Sequence, residues 1–191
     1  RPVVIDYIKP AKAAAKTAGL PIVYLCNYLS PAMTERTEWR NMSIRTMGVD
    51  VLDAWREPND ILAHSKVIAP ERGDHLIRKQ HYSGFFETHL ESLLMDLRAR
   101  NLVMVGFDSR ICLGTTAVDA MYRGYRVIVL RDCTLTYEFA ETEEGHWANF
   151  MAIREIESMV GYTSSKDEWV AACAQVDVTS EQASMTSRRN E

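Results

Sequence analysis

The chain predicts an α/β fold, a three-layer α/β/α sandwich built on a mostly parallel, Rossmann-like sheet. Three short runs carry the prediction: PIVYLCN at 21–27, LVMVGF at 102–107 and YRVIVLRD at 125–132. Each is nearly all apolar and rich in β-branched or aromatic residues, as strands buried on both faces are. The intervening segments read as helices, and strands that alternate with helices call for right-handed βαβ crossovers and a covered parallel sheet.

The first helix is predicted over Ile5 to Gly19, with Gly19 and Pro21 closing it and Pro10 either near its first turn or kinking it. The strand at 21–27 follows. From Tyr28 to about Arg72 the periodicity weakens around Pro31, Trp39, Trp55 and Pro58, which suggests an excursion with short helices serving either as a lid or pocket wall or as a surface elaboration or oligomer contact. DHLIRKQ supplies a short strand ending at Lys79. Leucines at 90, 93, 94 and 97 give one apolar face to a helix over Thr88–Arg100. After the strand at 102–107, a small-residue helix runs from Cys112 to its cap at Gly124, and the strand at 125–132 follows. A helix over Thr142–Glu155, an edge strand in ESMVGY (157–162) and a helix from Ser165 complete the order. Residues 1–173 therefore form one domain, and the polar stretch at 174–191 reads as a loose tail or an arm reaching a neighbouring subunit.

Composition narrows the function. The 191 residues are 47% hydrophobic and 25% charged, enough apolar surface for a core and enough charge for a soluble exterior. The net charge of −4 and the pI of 5.8 provide no field for a polyanion, so nucleic acid is not an expected partner. No run approaches the roughly 18 apolar residues of a membrane span, and no leader pattern follows Arg1, so a cytoplasmic protein is expected. Cys26, Cys112, Cys133 and Cys173 form no CxxC pair, and the five histidines form no HExxH, so neither a disulfide scaffold nor a metal site is expected. VGFDSR has too few glycines for a nucleotide loop, and no cofactor is expected.

Ligands of open parallel sheets bind beyond the carboxyl ends of the strands. That rule selects Asn27, Tyr28, Lys79, the loop 107–112 and 132–134. Cys112 opens a helix, where free N–H groups and the positive helix end favour a thiolate and can hold an oxyanion. An inert packed thiol is the alternative reading for Cys112, and an exposed strand end is the alternative for Lys79. Cys26 and Cys133 read as packed small residues, and Cys173 as core or interface. His81 and His89 flank the Lys79 loop. Tyr82, Phe85 and Phe86, separated by Gly84, suit either a core or an apolar pocket wall.

RKQHYSGFFETHLESLL, then NLVMVGFDSRICLGTTAVDAMYRGYRVIVLRDCT and HWANFMAIREIE, resemble the isochorismatase-like cysteine hydrolases. The YSGFF stretch after the lysine is most similar to ureidoacrylate amidohydrolases, with biuret- and carbamoyl-type amidohydrolases as neighbours. The resemblance implies an Asp–Lys–Cys triad in which Lys79 and Cys112 match the lysine and the nucleophile. It implies an oxyanion hole formed by the N–H groups of Cys112 and Asp108, with a cis peptide between Phe107 and Asp108. Asn27, Trp39, Tyr82 and Phe86 are candidate substrate contacts, and no metal is required. Hydrolysis of an amide or ureido C–N bond of a small metabolite through a thioester is the expected activity. Vinyl-ether hydrolysis of isochorismate and a non-catalytic binding or assembly role are the alternatives. Homo-oligomers, dimers or tetramers, are implied as well.

Two features depart from the family pattern. The family aspartate stands at the end of a first strand upstream of the helix that here begins near Ile5, so this sequence is expected to lack that strand. Asp6 and Asp50 follow no buried strand, and the aspartate is left unassigned. Asp108 occupies a position where relatives commonly carry alanine, and its carboxylate would oppose a developing oxyanion unless it turned away or met a cationic group.

Overall fold

The computed structural model describes residues 4–27, 37–48, 50 and 67–176. Helix α1 (Val4–Thr17) contains Pro10 on its exposed side, where water can reach the Asp6 carbonyl that Pro10, having no N–H, leaves without a donor. It buries Ile8, Ala11 and Ala15 and ends at Gly19, whose φ of 70° lets the chain turn into the sheet. Strand β1 (Val23–Asn27) pairs in parallel with β2 (His75–Lys79), bringing Asn27 opposite Lys79. Between them, within the excursion, lies α2 (Thr37–Met47). Residues 28–36, 49 and 51–66 of that excursion and the tail beyond residue 176 fall outside the described residues.

Helix α3 (Leu90–Asp96) is shorter than the leucine spacing suggests. Leu97 caps it and Arg98 turns to a φ of 52°, so Leu97 closes the helix instead of extending it. Strand β3 (Asn101–Phe107), helix α4 (Cys112–Tyr122) and strand β4 (Arg126–Leu135) follow. β4 outruns the expected end at Asp132. Beyond an irregularity between Met104 and Gly106, pairing resumes at Gly106–Thr134 and Phe107–Leu135, and Thr134 Oγ1 donates to Gly106 O. Cys133 consequently lies within the strand, fully buried.

The expected edge strand in ESMVGY also moves. Helix α5 (Trp147–Met159) absorbs its first three residues, and β5 (Tyr162–Ser164) begins after Gly161. A Cβ on Gly161 would lie 2.4 Å from Val127 O, so glycine permits the close passage onto β4. α5 starts at Trp147, not Thr142, because residues 142–146 form turns that end with His146 at a φ of 54°. Helix α6 (Lys166–Cys173) starts as predicted, with a reciprocal capping box between Ser165 and Glu168.

The described strands form two parallel groups, β1–β2 and β3–β4–β5. One core crosses both. Val23 and Leu25 of β1 and Leu102 and Met104 of β3 pack with Ile77, Phe85, Leu113, Ala117 and Val129 beneath α3, α4 and α5. On the other face Ile8 and Ala11 of α1 meet Leu130 and Cys133, with Trp169 of α6 alongside. Helices thus cover both faces, the three-layer arrangement expected. Lys12 and Lys16 of α1 grip Glu71 and Asp74 ahead of β2, and Tyr24 donates to Ile68 O. These contacts tie the β1–β2 group to α1. Among the described residues, β1 pairs only with β2 and β3 only with β4. No helix among them is long and apolar enough to cross a membrane.

Candidate active site

Parallel strands deliver their carboxyl ends to one side, and that is where the candidate residues gather. Lys79 ends β2 and is only 4% exposed. Its ammonium donates to Asn27 Oδ1 at 2.5 Å and to His81 O at 2.9 Å, so the strand register brings two predicted residues into direct contact. A buried charge needs such acceptors, and Asn27 provides one without neutralising it. His81 lies edge-on to Phe86 with ring centroids 4.6 Å apart, and Phe86 is half exposed. Tyr82 is partly buried in the same loop. Trp39 lies in α2, and its side chain falls outside the description.

That loop is fastened to the helix that Cys112 opens. Gly84 N–H donates to Thr116 Oγ1 at 2.9 Å, and the Thr116 hydroxyl donates to Cys112 O at 2.6 Å. Ser83 donates to Asp119 one turn further along α4. A Cβ on Gly84 would meet Leu25, Leu90 and Thr116, which explains a glycine between aromatic neighbours. Lys79 and Cys112 are therefore linked through a short, hydrogen-bonded path.

Cys112 is the first residue of α4 and is half-buried. Of the preceding loop, Ser109 N–H donates to Leu135 O, and those of Ile111 and Leu113 donate to Asp108 O. The N–H groups of Asp108 and Cys112 have no backbone acceptor among the described residues. Two donors at a helix start can receive developing negative charge. The peptide between Phe107 and Asp108 is cis, as the resemblance implied.

The Asp108 carboxylate does not face that charge. It is 3% exposed and accepts from Arg110 N–H at 2.8 Å, Thr136 Oγ1 at 2.5 Å and Tyr137 N–H at 3.1 Å. With three donors holding it, the anion is turned into the β3–β4 seam. Ser109 Oγ donates to Asn149 Oδ1, and Glu138 accepts from the N–H groups of Ala148 and Asn149, fixing α5 to the same loop. Burial opposes the Glu138 charge, but Thr142 and these two N–H groups outweigh it and lower its pKa.

Thr136, Glu138 and Asn149 escaped the sequence reading. The strand-end rule pointed to 132–134 because β4 was taken to stop early. Asp132 has a different job, accepting from Lys166 N–H at the start of α6. Two other thiols are poor nucleophiles by environment: burial and the nearby Asp132 charge push Cys133 up to about 12, and burial raises Cys173. A recess of about 520 Å³ lined by Arg100, Tyr125, Arg126 and Tyr162 lies at the amino ends of the strands, remote from Cys112.

The isochorismatase domain matches residues 1–168. The chain belongs to the isochorismatase family. As a member of this hydrolase family, it is 31% identical over 185 residues to the ureidoacrylate amidohydrolase RutB of Methylorubrum extorquens, spanning 88% of this chain and 69% of that one. RutB of Pseudomonas syringae pv. syringae is 29% identical over 87% of this chain and 69% of its own. Among solved structures, a cysteine hydrolase from Pseudomonas syringae pv. phaseolicola superposes with a TM-score of 0.76 at 20% identity, covering 91% and 81% of the two chains. N-carbamoylsarcosine amidase from Thermoplasma acidophilum gives 0.59 at 25% identity, covering 86% and 83%. The family fold and the α/β/α architecture read from the sequence agree.

Proposed function

We propose that the protein is a cysteine-dependent amidohydrolase that cleaves an amide or ureido C–N bond of a small metabolite, a ureidoacrylate-like acid in the first instance. The observation that carries this reading is the pairing at the start of α4: Cys112 beside two N–H donors, with the Asp108 carboxylate diverted to Arg110, Thr136 and Tyr137. The RutB relatives and the amidase-like fold support the substrate class.

The Cys112 thiolate attacks the carbonyl carbon, and the C=O electrons move onto oxygen, which the N–H groups of Asp108 and Cys112 stabilise. Collapse expels the amine or ammonia with a proton from an acid, leaving a thioester. The same group, now a base, takes a proton from water, which attacks the thioester and releases the acid and the thiolate. Lys79, held by Asn27 and His81, supplies positive charge beside these steps. The proton carrier that the family resemblance implies is an aspartate, which is left unassigned in this chain.

Ammonia release from ureido acids and primary amides tests the reading. Turnover is expected to fall about 10⁴-fold or more in Cys112→Ala and to be abolished by iodoacetamide. Unchanged turnover in that variant overturns the proposal, and pyruvate release from isochorismate without ammonia release from any amide would replace it with vinyl-ether hydrolysis.

A further inference from the structure

A ureido acid carries two groups a few atoms apart, a carbonyl to be attacked and a carboxylate that takes no part in the bond changes. The carboxylate leaves water at a cost that a charged, hydrogen-bonding partner offsets. Two cations near the carboxyl ends of the strands are engaged elsewhere. Lys79 is 4% exposed and donates to Asn27 and His81. His81 itself lies 3.5 Å from Glu87. Arg110 differs from both: it is exposed, and among the described residues its guanidinium has no carboxylate partner.

Arg110 stands two residues before Cys112, so their Cα atoms are at most ~7.6 Å apart. Its guanidinium carbon lies 5.5 Å from the centroid of the Phe139 ring, which is edge-on to Tyr137. Both aromatic residues follow β4, whose last residue, Leu135, pairs with Phe107. The guanidinium is therefore at the same end of the sheet as Cys112. A ring face attracts a guanidinium through its charge and uses none of its N–H groups, which leaves the planar fork for a carboxylate. Asp108, two residues away, does not occupy that fork. Its carboxylate is 3% exposed and accepts from the backbone of Arg110 and Tyr137 and from the Thr136 hydroxyl.

We infer that Arg110 is the specificity-determining residue for the acid end of the substrate, its guanidinium receiving the carboxylate of a ureido or amido acid whose carbonyl sits at Cys112. This assignment rests on the amidohydrolase reading and gives it a substrate class: small acids whose anionic group lies a few atoms from the scissile carbonyl. An anchor at that distance orients the carbonyl for attack, so it acts on kcat as well as on KM.

Ammonia release from 3-ureidoacrylate and from its uncharged methyl ester tests the assignment. Arg110→Gln is expected to lower the ratio of kcat/KM for the acid to that for the ester about 10–100-fold, the worth of a charge-assisted contact. Arg110→Lys should restore part of the ratio, since it returns the charge without the fork. An unchanged ratio overturns the assignment, whether both rates hold or both fall. Calorimetric titration of 3-ureidoacrylate separates binding from chemistry. Cys112→Ala should bind the acid, and adding Arg110→Gln to it should weaken binding about 10–100-fold. Equal affinities, or no binding by Cys112→Ala, overturn the assignment. Binding that depends on Arg110 in a protein that releases ammonia from neither compound overturns the amidohydrolase reading and leaves the carboxylate contact standing.

Discussion

At the residue scale, Asp108 shows how a charge can stand beside a proposed oxyanion site without opposing it. Its carboxylate is spent on three donors, and only its main chain is left for the proposed reaction. Asp108→Ala would leave the Thr136 hydroxyl and the Arg110 and Tyr137 N–H groups without their acceptor. A loss of about 2–4 kcal/mol in denaturant unfolding is expected, since each buried orphan costs roughly 1–3 and some recover water. Turnover should fall by no more than about tenfold, because the backbone N–H survives. Cys112 and Lys79 were legible in the sequence because each ends or follows an apolar run and matches a family motif. Arg110 is a near neighbour, but Thr136 and Tyr137 were not legible as partners of Asp108: they lie 28 and 29 residues away, and they meet it only through the late register of β3 and β4. No local pattern in CTLTYE announces that pairing.

At the scale of elements, the strands were easy to place and the turns between them set the errors. β4 was cut short because Cys133 and Thr134 look like loop residues, whereas backbone pairing with Gly106 and Phe107 decides their conformation. The capping signal of α6 was local and therefore readable. Glu168 accepts first from the Ser165 N–H and then from the Ser165 and Ser164 hydroxyls, which lower its pKa to about 2 from an ordinary 4.5. A depressed carboxylate contributes stability above its unfolded pKa and loses it as pH falls toward the folded value. The α6 cap should therefore hold at pH 5 and be lost between about pH 4.5 and pH 2, which the amide resonances of Ser165 and Glu168 would track in an acid titration. Gly114 marks where α4 leans on its own loop. A Cβ there would sit 2.6 Å from Ser109 O, a backbone atom with little freedom to move. Gly114→Ala should displace the Cys112 turn and lower turnover about 10–100-fold, as misplacement near 1 Å does, with KM much less affected.

At the scale of the whole molecule, two groups of parallel strands share one core and two helical layers, with the candidate chemistry at one end of both. The alternation of apolar runs and helices made this layering readable, since burial on both faces demands it. The meeting of Lys79 with Asn27 follows from a parallel register that spans 52 residues, and sequence distance hides it. Among the described residues β1 and β3 are each paired along one edge, which bears on amide exchange with deuterated water. Along a strand bonded on one side, alternate amides point toward the partner and the others away. Exchange across β1 and β3 should then alternate slow and fast with a two-residue period, while β4 should be slow at Ile128 and Val129, where it is bonded on both sides. A segment seated between β1 and β3 would erase the alternation in both strands at once. Mass spectrometry at single-residue resolution would thus show whether the centre of the sheet is sealed in the protein in solution.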